Sequence, residues 1–123
     1  MAIEVALDQQ QNIIRVVSQG RINLIVLKQS LAEALTYYNQ GYSKVLVNAI
    51  NQHHGTDTMD IYDFAVAIVD SACDLKQAVV VSPQTTQDVR FLETLVRNRG
   101  GLMQIFWDEN QALTWLLDDN AKI

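Results

Sequence analysis

The chain has 123 residues, of which 49% are hydrophobic, and it carries a formal net charge of -5 with one cysteine. That length suits a single domain spanning residues 1–123 with a real core, and that apolar share excludes a disordered chain. The acidic balance excludes the dense lysine and arginine contacts behind nonspecific nucleic-acid binding and suits a basic partner instead. Cys73 has no second cysteine to pair with, which fits a reducing compartment. The opening MAIEVALDQQQ lacks a basic stretch followed by an apolar core, so no secretory signal is read there. No apolar run approaches the ~18 residues of a membrane span, so the expectation is a cytoplasmic protein without membrane insertion.

Ile3 to Leu7 alternates apolar and polar residues as a half-buried strand does. Asp8 to Asn12 is a polar turn, and Ile13 to Val17 forms a second strand, antiparallel because the connection is short. Gly20 is read as the break ending that strand. Asn23 caps a helix whose Leu24, Leu27, Leu31, Leu35 and Tyr38 recur at helical spacing, with Gly41 as its stop. Ile22 to Leu27 would suit a strand by its β-branched residues, but the continuing periodicity decides for helix.

The stretch from Lys44 to Phe64 organises the rest. Val45, Leu46 and Val47 belong to a strand from Lys44 to Ala49 that is covered on both faces. Asn51 to Asp57 is an irregular polar loop around Gly55. A helix follows from about Thr58 to Cys73, with Asp57 or Thr58 as its cap and Asp60 and Asp63 near its positive end. Ile61, Phe64, Ala65, Ile68 and Ala72 form its apolar stripe. Gln77 to Val81 is another buried strand, Ser82 and Pro83 read as a cap and first-turn proline, and Val89, Leu92 and Val96 face inward from the next helix. Leu102 to Trp107 is the last strand. Asp108 and Gln111 then resemble a capping box ahead of Ala112, Leu113, Trp115 and Leu116. The tail from Asp118 reads as frayed.

The order is β-β-α-β-α-β-α-β-α, which predicts an α/β fold. Its mixed five-stranded sheet has an antiparallel N-terminal hairpin and parallel remaining strands, with about four helices joined by right-handed crossovers. This order resembles the SpoIIAA-like or STAS domain over essentially the whole chain. The most specific part is the C-terminal third, with Arg97-Asn98-Arg99-Gly100-Gly101, the strand Met103 to Phe106, and Ala112-Leu113 with Trp115-Leu116. It looks like an uncharacterised bacterial SpoIIAA-like branch.

The resemblance to STAS-type anti-sigma-factor antagonists implies a non-enzymatic regulatory module that binds a protein partner. Those proteins carry a phosphorylated serine at the start of the second helix. The matching place here is Asp57-Thr58-Met59-Asp60, with threonine for serine and no following glycine. Phosphate at Thr58 would gain from the helix N-terminus and be repelled by Asp57, Asp60 and Asp63. A plain helix cap is the other role for Thr58. The partner surface is expected at Asn51, His53, His54, Gly55, Thr56, Asp57, Thr58, Met59 and Tyr62, where open α/β sheets meet their ligands.

Other chemistry has little to stand on. His53-His54 with Asp57 lack further His or Cys ligands for a metal site and read as solvated loop histidines. Cys73 lies at a helix C-terminus, the wrong end of the dipole for a reactive thiolate. Ser82 has no Gly-x-Ser-x-Gly around it, and Gly100-Gly101 follows a helix as a C-cap does. A phosphorelay receiver would need an acidic pair after the first strand and an aspartate ending the third, whereas Val47 leads into Asn48. Arg90, Arg97 and Arg99 read as a solvated face, and Tyr37, Tyr38 and Tyr42 as packing residues. No cofactor or metal is expected. The contrasting reading is a carrier of a small apolar ligand or lipid, similar to CRAL-TRIO domains, which a cavity would favour and a dry, filled core would not. Homodimerisation through an open sheet edge or an exposed helix face is compatible with the pattern.

Overall fold

The computed structural model describes residues 3–53 and 57–118, His53 by its backbone alone. Strands β1 (Ile3–Asp8) and β2 (Ile13–Arg21) lead into helix α1 (Leu24–Tyr38) and strand β3 (Lys44–His53). Helix α2 (Thr58–Ala72), strand β4 (Lys76–Val80), helix α3 (Thr86–Asn98), strand β5 (Leu102–Phe106) and helix α4 (Glu109–Leu117) complete the order. The strands form a five-stranded sheet in sequence order, with β1–β2 antiparallel and every later pair parallel. This is the architecture the periodicity predicts.

The strand order has a geometric consequence. Each parallel connection steps one strand further in the same direction, and right-handed crossovers then place their helices on one face. Helices α1, α2 and α3 pack side by side there, over Ile14, Val16, Val45, Val79 and Met103. Among the described residues the opposite face holds only α4, whose Ala112 and Leu116 pack on Ile13, Leu46, Ala78 and Val80. Glu4 and Ala6 of β1 stay exposed, which explains the alternation in that strand.

The opening turn is held by Asp8. One carboxylate oxygen accepts from the backbone N–H of Gln10 and Gln11 at 3.1 and 3.2 Å, and the other accepts from Arg15 Nε at 2.9 Å. Asn12 closes the turn with φ of 57°, a conformation asparagine tolerates better than most residues.

Three local readings need correction. Gly20 does not end β2: the strand passes through it at φ of +72°, after a register shift between Val17 and Gln19, and stays paired to Arg21. Strand β3 in turn does not stop at Ala49. Asn51, Gln52 and His53, assigned to a loop from sequence, pair with Gln19, Gly20 and Arg21. A strand ends where its partner does, and that partner lies some thirty residues earlier. The third correction concerns Ser82 and Pro83, which precede α3 without capping it. Thr85 is its N-cap residue, and the Ser82 carbonyl gathers the N–H groups of Thr85 and Thr86, both at 3.0 Å. Burial of Thr85, whose hydroxyl accepts from Ser82 N–H at 3.0 Å, fixes this separate turn.

All of β4 is buried, although it opens with two polar residues. Lys76 faces α4, where its ammonium donates to the carbonyls of Trp115 (2.7 Å) and Asp118 (2.9 Å) and lies 4.5 Å from the Trp115 ring centre. A cation at the negative end of a helix dipole is favourably placed, and here it ties α4 to the sheet. Gly101, between α3 and β5, sits so close that an added Cβ would meet Val96 Cγ1 at 2.5 Å.

Two outcomes follow. Lys76→Met, which keeps the apolar stem and removes the ammonium from the Trp115 and Asp118 carbonyls, is expected to lower stability by about 2 kcal/mol in urea denaturation. The Arg15 hydrogen bond holds the Asp8 carboxyl below its ordinary value of 3.8. Its contribution is therefore complete above that value and is lost as pH falls through the lowered one. NMR of the hairpin amides should show a transition below about pH 4 that Asp8→Asn abolishes.

Candidate functional site

Helices α1 and α2 both begin at the carboxyl edge of the parallel strands, because each follows a strand and runs back antiparallel to it. The predicted contact segment lies on this edge. Asn51 is exposed at the end of β3, and Gln52 beside it turns inward. Asp57 is the N-cap of α2, accepting from Met59 N–H at 2.7 Å, so the cap is Asp57 rather than Thr58. Thr58 is the exposed first residue of the helix, and Asp60 lies in its first turn. His54, Gly55 and Thr56 lie outside the described residues, as does the side chain of His53.

Met59 projects from this turn with 62% of its surface exposed, and Ile25, in the first turn of α1, is 70% exposed. Ile61 is buried beneath. Tyr62 forms the rim, and its hydroxyl accepts from Arg99 Nη2 at 2.6 Å while the guanidinium lies 5.1 Å from the ring centre. Arg97 sits 3.9 Å from Glu93. Arg97 and the C-cap residue Arg99 thus turn to different neighbours. Among the described residues no group of three or more His, Cys, Asp or Glu is placed to hold a metal ion. The exposed Cys73 thiol donates to the Gly100 carbonyl at 3.4 Å.

A second feature escapes sequence reasoning. Between the sheet and helices α1 to α3 lies a cavity of about 100 Å³, reaching from Ile3 and Leu75 to Gln52 and Asp88. Its walls are mostly aliphatic, and Val47, on the central strand, stays only half-buried because it faces this space. Ser18 Oγ and Gln52 Oε1 meet at 2.7 Å across β2 and β3. Gln77 is 7% exposed, and its amide nitrogen has no hydrogen-bond partner among the described residues. An unmet buried donor of this kind costs about 1–3 kcal/mol. The one signal available earlier was Gln77 itself, the polar residue in an otherwise apolar run; nothing local tied Ser18 and Gln52 to it.

The cap assignment is checkable. Asp57→Ala should cost about 1 kcal/mol in thermal or urea unfolding, while Thr58→Ala should change stability by less than about 0.5 kcal/mol.

No protein-family model and no curated protein matches the chain. Among solved structures it is similar to an uncharacterised protein of the DUF3478 family with a SpoIIAA-like fold from Shewanella loihica PV-4. The two share 15% sequence identity with a TM-score of 0.67, over 94% of this chain and 93% of that one. No helix among the described residues is long and apolar enough to cross a membrane. The likeness, together with the strand order and the antiparallel opening hairpin, establishes that the chain has a SpoIIAA-like fold.

Proposed function

We propose that the chain is a non-enzymatic interaction module that binds a protein partner through the Asn51–Tyr62 surface. The observation that supports this best is the exposure of Met59 among carboxylates. A flexible thioether held in water gains little for the monomer and gains burial in a complex. Asp57, Asp60 and Asp63 lie on the same two turns, so the complementary surface is an apolar socket with a basic rim. Exposed Ile25, on the first turn of the neighbouring helix, extends the apolar part. Phosphate added at exposed Thr58 would fall inside this surface, strengthening its negative charge and its demand for a basic partner.

The carrier reading finds partial support in the cavity, whose volume sets its limit. About 100 Å³ is well under the roughly 300–1,000 Å³ of sites that enclose drug-sized molecules. A whole lipid does not fit inside, so the contact surface is the better-supported function.

The test compares wild type with a Met59→Lys/Asp63→Lys variant as bait in host lysate, two substitutions at exposed positions. A partner captured by wild type should fall at least about tenfold with the variant and weaken as salt is raised. Equal recovery from both baits would move the interface off this surface.

A further inference from the structure

We propose that the cavity beneath α1, α2 and α3 is a binding site for a small neutral carbonyl compound, with its apolar body against the aliphatic walls and its oxygen on the Gln77 amide. The site lies behind the contact surface and does not depend on it.

Three observations converge. Gln77 is more than nine-tenths buried, lines the cavity, and carries an amide nitrogen without a partner among the described residues. A buried polar group normally has a partner, and the missing one here is an acceptor. The sheet neighbours of Gln77 suit an organic acceptor. In the sheet, Gln77 lies between Val45 and Met103, both of which also line the cavity. A carbonyl needs one donor and brings its own apolar surface, which the aliphatic part of the lining matches. Charge narrows the class further. Among the described residues the lining includes the Asp88 carboxylate and no Lys, Arg or His, so a carboxylate or phosphate ligand would be buried against like charge there. The Ser18 hydroxyl already uses the Gln52 oxygen as its acceptor, which leaves Gln77 as the unmet donor. The volume, about 100 Å³, is of the order of the engineered apolar cavities that take up benzene. A ketone, amide or ester of roughly that size is the matching chemistry.

The full chain is titrated with cyclopentanone, methylenecyclopentane and butyrate, followed by methyl and side-chain amide NMR. Cyclopentanone should shift the Val47, Val79 and Leu92 methyls and the Gln77 amide saturably. Methylenecyclopentane has the same shape without the acceptor and should bind about tenfold more weakly, the loss expected for one hydrogen bond. Butyrate should leave these signals unmoved. In Gln77→Leu the ketone and the alkene should bind equally. No saturable shift with cyclopentanone, equal affinity of wild type for ketone and alkene, or a preference for butyrate would overturn the proposal. So would a Gln77→Leu variant that keeps the ketone preference. The wild-type comparison decides the matter even if that variant does not fold.

Discussion

Strand β4 is buried along its whole length, yet it starts with a lysine and a glutamine. These adjacent residues point to opposite faces of the sheet, as successive strand residues must. Toward α4, the Lys76 ammonium meets two carbonyls at the helix end and the face of Trp115. Burying an ammonium is costly unless its hydrogen-bonding capacity is met, so this charge requires α4 to lie where it does. That helix is also the cover for Ala78 and Val80 on the same face. Toward α1 to α3, Gln77 has no equivalent closure, and the cavity opens beside it. One face of the strand is sealed by a charge and the other is left with an unmet amide.

The remaining layout follows from chain direction. Because the strands advance across the sheet in sequence order, three helices share a face and their amino ends share an edge. Positive helix ends favour carboxylates, which accounts for Asp57 at the cap of α2, Asp60 in its first turn and Asp88 in the first turn of α3. Negative charge therefore collects at this edge for reasons of helix stability before any partner is considered. Met59 and Ile25 have no comparable structural reason for their exposure, and that contrast is why they carry more functional weight than the acids around them.

The two sheet edges are treated differently. Along β5, the buried Glu93 carboxylate accepts from the Ile105 N–H at 2.8 Å, filling a position that another strand would otherwise take. The other edge is β1 itself, the outer strand of the hairpin, whose turn Asp8 and Arg15 stiffen. An edge blocked by a buried acid cannot add a strand without losing that bond, so pairing through β5 is disfavoured.

Much of the fold was legible in the sequence because it rests on local periodicity. Leu24, Leu27, Leu31 and Leu35 recur at helical spacing, and Val45 to Val47 mark a covered strand, whatever the remainder of the chain does. Short and long connections then fixed antiparallel and parallel neighbours. Asn23, Asp57 and Asp108 were readable as caps because each bonds to a backbone group two or three residues on. Only the tertiary structure decided where β3 ends, since Asn51 to His53 are strand residues by virtue of pairing with Gln19 to Arg21. It likewise decided that Gly20 continues a strand, that Lys76 serves α4 across 39 residues of chain, and that Ser18, Gln52 and Gln77 share one cavity. Those outcomes depend on contacts between distant segments, and a pattern of neighbouring residues holds no record of which distant segment arrives or of the space left when it does.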